Sequence, residues 1–141
     1  MSLAFSHYQF TLLAEQEMRL PEYLGSTLRG GFGHTFRRIC CAASRRECKG
    51  CPLTTQCPYA LIFEPSPPPD SPALRNLEEI PRPFVIEPPP KMRSPLPRGS
   101  PLQFGLTLVG CARDFLPYFI VAFRELGAEG LGRDRGKFRL E

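Results

Sequence analysis

The sequence contains no long apolar run, so none of its 141 residues makes up a membrane span of the helical kind. The N-terminus Met1-Ser2-Leu3-Ala4 also lacks a charged region followed by an apolar stretch, the mark of a signal peptide, and a cytoplasmic setting is the expectation. Phosphate-binding fingerprints are missing too. Gly130-x-Gly132-x3-Gly136 does not have the dinucleotide spacing, and Gly136-Lys137 is followed by Phe138 where a nucleotide-hydrolysing loop carries Ser or Thr. Acid is scarce along one stretch. Between Ser26 and Phe63, six basic residues (Arg29, Arg37, Arg38, Arg45, Arg46, Lys49) stand against the single acid Glu47. That local excess, more than the net charge of +4, points to a polyanionic partner. Proline is ordinary outside one segment, because thirteen of the 17 lie between Pro65 and Pro101.

What remains is enough for one domain. With 42% hydrophobic residues the chain can bury a core of single-domain size. Residues Ala4 to Leu13 alternate as a first strand, with Phe5, His7, Gln9 and Thr11 on one side and Tyr8, Phe10 and Leu12 on the other. Pro21-Glu22 suits the first turn of a helix in which Leu24, Leu28, Phe32, Phe36 and Ile39 share one arc of about 120°, opposite Gly30, His34 and Arg37. One face packs and the other is polar and basic. Tyr59 to Phe63 has strand composition, and Phe84-Val85-Ile86 is the piece of the proline segment suited to an edge strand. Leu102, Phe104, Leu106 and Leu108 alternate as a half-buried strand. A second helix follows, capped by Asp114, with Pro117 in its first turn and Leu116, Phe119, Ile120, Phe123 and Leu126 as its buried stripe before Gly127. A glycine-rich loop, 127–137, leads to a last strand holding Phe138 and Leu140. The expected fold is therefore α+β, a ferredoxin-like (RRM-like) βαββαβ domain over residues 1–141, with a cysteine knuckle at 40–58 and a proline-rich insertion at 65–101.

Three constellations carry chemistry. Cys41-x6-Cys48-x2-Cys51-x5-Cys57 offers four thiolates with a knuckle-like Cys-x2-Cys turn; tetrahedral zinc suits them, and an iron–sulfur cluster uses the same ligands. Disulfides and free thiols are the other readings, and Cys40 can stand in for Cys41. Cys111 reads as a small core residue. On the basic helix, His34 is either a general acid or base beside Arg37 and Arg38 or an exposed histidine without a role, whereas His7 reads as structural. Gly30, Gly31 and Gly33 each cost roughly 1 kcal/mol of helix propensity, which either close helix packing on a sheet or close approach of a phosphodiester backbone would offset. Arg133, Arg135 and Lys137 of the glycine loop are RNA-phosphate contacts, or else the loop is a solvated turn.

Leu28-Arg29-Gly30-Gly31-Phe32-Gly33, the cysteine stretch closing in Cys57-Pro58-Tyr59 and Phe63-Glu64, and Gly130-Leu131-Gly132-Arg133-Asp134-Arg135-Gly136-Lys137-Phe138 occur in that order over nearly the whole chain. Together they resemble the N-terminal half of CRISPR-associated RAMP proteins of the precursor-crRNA processing endoribonuclease branch. The resemblance implies a domain that handles CRISPR repeat RNA, single-stranded or hairpin, alongside other CRISPR-associated proteins. In active members it implies metal-independent cleavage leaving a 2′,3′-cyclic phosphate, with His34 catalytic by position. Arg29, Arg37, Arg38, Arg133, Arg135 and Lys137 form the expected RNA surface. Such enzymes carry a second ferredoxin-like domain, and the sequence ends where it would begin, as a fragment or truncated relative does. The competing expectation is a non-catalytic module whose metal knuckle and proline segment dock a protein partner within a ribonucleoprotein complex.

Overall fold

The computed structural model describes residues 4–21, 23–40, 57–63, 82–89, 94–132 and 134–140. Four antiparallel strands form one sheet: β1 (Phe5–Ala14), β2 (Phe84–Glu87), β3 (Pro101–Val109) and β4 (Phe138–Leu140), in the order β2-β3-β1-β4. The period-2 alternation of β1 and β3 decides which way the sheet faces. Leu12 and Ala14 on β1, all four even-numbered leucine and phenylalanine positions of β3, and Phe84 on β2 are buried. Opposite them, Phe5, His7, Gln9, Thr11, Val85, Glu87, Gln103, Gly105 and Thr107 share a face that no described helix covers.

Against the buried face lie α1 (Gly25–Cys40), α2 (Pro58–Phe63) and α3 (Leu116–Glu129), making an α+β domain of two layers. Between the layers sits an aromatic cluster centred on Phe32. Its ring stacks on Phe119 at 4.9 Å and Phe123 at 4.6 Å, and meets Phe36, Phe63 and Phe84 at 5.3 to 5.9 Å. Phe104 and Phe10 from the sheet close on Phe123 at 5.0 and 5.5 Å. The core is thus held by rings whose sequence positions span the whole chain.

Several local expectations are corrected. Tyr59 to Phe63 is helical, because Pro58 starts a turn in which the Leu61 N–H donates to the Cys57 carbonyl, and Ala60, Ile62 and Phe63 all turn inward. A five-residue apolar run does not distinguish the two periods. The strand that follows α1 in the sheet is instead Phe84–Glu87. α1 begins at Gly25, leaving Pro21 outside it, and Ile39, one residue before its end at Cys40, is exposed. Asp114 falls in a 3₁₀ turn, Gly110–Phe115, so Phe115 precedes α3 and no side chain caps it. That turn points Ala112 inward and leaves Cys111 exposed, so Cys111 is not a core residue. Ile120 is exposed, and α3 runs past Gly127 to Glu129, where Gly130 at φ 106° closes it by donating to the Leu126 carbonyl.

Candidate nucleic-acid interface

The solvent arc of α1 carries Gly30, His34 and Arg37, flanked by Arg29 on the β2 side and Arg38 on the α3 side. Each arginine is held. Arg29 lies over the Phe84 ring and Arg37 over the Tyr59 ring, both at 5.3 Å, and packing on these rings helps to extend them from the helix. Arg38 crosses to α3, where it pairs with Glu129 and lies 3.8 Å from Glu125. The buried Thr35 hydroxyl donates to the other oxygen of Glu129 at 3.5 Å. Glu125 and Glu129 thus offset part of the basic excess of α1. They lie 87 and 91 residues beyond Arg38, so no local charge count could have found them. His34 is exposed and has no hydrogen-bond partner among the described residues.

The glycines divide. A Cβ on Gly31 would lie 3.1 Å from Leu126 and 3.3 Å from Leu131, and one on Gly33 would lie 3.1 Å from the Phe63 ring, so both serve close packing, against α3, the glycine loop and α2 rather than the sheet. Gly30 has open space above it. The glycine loop itself is a hairpin in which Leu131 and Gly136 exchange both backbone hydrogen bonds. Gly132 at φ 83° and Arg135 at φ 51° turn it, while Gly136 is buried against Met18. Arg135 and Lys137 are exposed, and Arg139 continues the series on the open side of β4, paired with Leu13 of β1. Arg133 lies outside the described residues. Since Leu131 touches Gly31, the two glycine motifs, a hundred residues apart in sequence, meet in space.

Of the four cysteines expected to bind metal, Cys41, Cys48 and Cys51 lie outside the described residues. Cys57 is half-buried at the start of α2, its Sγ 3.8 Å from the Cys40 carbonyl at the end of α1. The two ends of the cysteine stretch are therefore side by side. Among the described residues no group of three or more His, Cys, Asp or Glu side chains is placed to hold a metal ion, and no described helix is long and apolar enough to cross a membrane.

The open sheet face holds an arrangement that the pattern of the chain did not announce. His7 Nδ1 lies 2.9 Å from Thr107 Oγ1, whose hydroxyl donates to Glu87 at 3.2 Å, and Gln9 donates to Gln103, which donates to Thr11. Alternation puts His7, Gln9 and Thr11 on one side of β1, but their partners follow only from the pairing of β1 with β3.

Fold and surface together define a two-layer α+β domain with basic residues on one helix and one hairpin. The chain belongs to the family AF_1859_N, described as an N-terminal domain, which matches residues 3–141. It is also 30% identical over 115 residues to an uncharacterized protein of Archaeoglobus fulgidus; the match takes in 82% of this chain and 38% of that relative.

Proposed function

We propose that this domain binds CRISPR repeat RNA, single-stranded or hairpin, and that within a longer protein it takes part in metal-independent processing of precursor crRNA in the cytoplasm. The observation that carries the reading is the meeting of Gly31 with Leu131, which sets the outer arc of α1 beside the hairpin of Arg135 and Lys137. Gly30 leaves room there for a phosphate to approach the backbone, and Arg29 and Arg37 are pre-extended on aromatic rings. The strand order β2-β3-β1-β4, with α1 following β1 and α3 following β3, supports a ferredoxin-like reading in which α2 and its flanking stretches are insertions. Binding at this surface does not require His34 to move a proton.

A second reading is favoured by the capture of Arg38 on Glu129 and Glu125: a surface that neutralises its own cations suits a protein partner in a ribonucleoprotein complex. Filter binding of repeat RNA across a salt series separates the two. RNA binding through four or five phosphate contacts predicts a log–log slope of about −3. A Kd indifferent to salt, or no binding at low salt, favours the protein partner.

A further inference from the structure

Glu87, Thr107 and His7 form a chain of hydrogen bonds across three adjacent strands. A carboxylate only accepts, so the Thr107 hydroxyl hydrogen is committed to Glu87 Oε1, and its oxygen is left to accept from His7. His7 Nδ1 therefore carries a hydrogen, and in the neutral ring Nε2 presents an unshared pair. Glu87 Oε1 lies 3.9 Å from the same Nδ1, so the carboxylate sits beside the ring. Gly105 leaves room for the arrangement, since a Cβ there would stand 3.0 Å from His7 Cε1 and 3.1 Å from Glu87 Oε2 and would crowd both side chains. The side chains of His7 and Glu87 are 52% and 54% exposed, so a substrate can reach the ring.

The surroundings indicate what kind of substrate fits. The site lies on the open face of the sheet, and Phe5, His7 and Gln9 follow one another along β1 at intervals of roughly 6.6 Å, about the stride of one nucleotide in an extended strand. Phe5, 67% exposed, offers a ring for a base to stack on, and Gln9 offers an amide for a base edge. Arg139 carries the basic series of the hairpin round the β4 edge onto this face.

The geometry points to His7, held by Thr107 and Glu87, as the proton acceptor of an RNA-cleaving site on the open sheet face. This rests on the RNA-binding reading and moves the chemistry away from His34. In the step, His7 Nε2 takes the proton of a ribose 2′-hydroxyl, the 2′-oxygen bonds to the adjacent phosphorus, and the bond from phosphorus to the 5′-oxygen breaks. The leaving 5′-oxygen takes a proton from water, and the hydroxide so formed removes the proton from His7. The products are a 2′,3′-cyclic phosphate and a free 5′-hydroxyl. Thr107 and Glu87 are positioning residues.

The test is cleavage of a mixed-sequence single-stranded RNA by the chain with EDTA present, beside DNA of the same sequence. The wild type should cut only the RNA and leave cyclic phosphate ends. His7→Ala should lose roughly 10²–10⁴-fold in kcat with RNA affinity and melting temperature kept, and added imidazole should restore part of the rate. Thr107→Val should lower kcat with KM unchanged, and Thr107→Ser should restore it. If His7→Ala folds poorly, Gly105→Ala displaces the ring with every reacting group retained, and should also lower kcat. Cleavage that survives His7→Ala, or is lost only in His34→Ala, overturns the assignment. RNA binding without cleavage overturns it while the binding surface stands; absence of both overturns both.

Discussion

Replacing Phe32 by alanine should destabilise the domain by about 3–5 kcal/mol, a large fraction of the 5–15 kcal/mol typical of a whole domain. Phe32 is fully buried on the inner face of α1 and is the ring on which α1, α2, α3 and β2 converge, through Phe36, Phe63, Phe84, Phe119 and Phe123. Its loss removes the transfer energy of a large ring and leaves a cavity that two stacked partners cannot both collapse into. A melting temperature lower by roughly 10–20 °C is expected. Ile120→Ala, on the exposed side of α3, should stay within about 0.5 kcal/mol of wild type. Equal effects of the two would mean that the aromatic cluster is not the centre of the core.

Cys51→Ser should remove one metal ion per chain; four thiolates suit tetrahedral zinc, and an iron–sulfur cluster uses the same ligands. The stretch from Ala42 to Pro58 has few apolar residues with which to order itself, so metal binding would supply its folding energy. The contact between Cys57 and the Cys40 carbonyl brings the ends of the stretch together, the closure that a shared metal requires. Elemental analysis of protein prepared without added metal should find about one ion in the wild type and none in the variant. A metal-free wild type whose melting temperature is unchanged by chelator would remove the metal from the account.

The strands and the two long helices were legible because period is a local property. The alternation at Leu102, Phe104, Leu106 and Leu108 and the spacing of Leu28, Phe32 and Phe36 can be read without knowing their partners. Tyr59–Phe63 was misread because its helix is little more than one turn, too short for a period to show, and its inward face is set by Phe32 and Phe84. The basic arc of α1 was legible as a pattern, but its net charge was not, since Glu125 and Glu129 reach Arg38 only through helix packing. The partners of His7 were hidden for the same reason, since no spacing connects it to Thr107 and Glu87, which the sheet register brings to it.

The most direct test of RNA binding at the α1 and hairpin surface is ultraviolet crosslinking of repeat RNA to the chain, with the linked peptides mapped by mass spectrometry. Crosslinks should fall in the peptides holding Arg29 to Arg38 and Arg135 to Arg139, with none on the outer side of α3 around Val121 and Arg124. Crosslinks confined to α3, or none at an RNA concentration that saturates binding, would contradict the account.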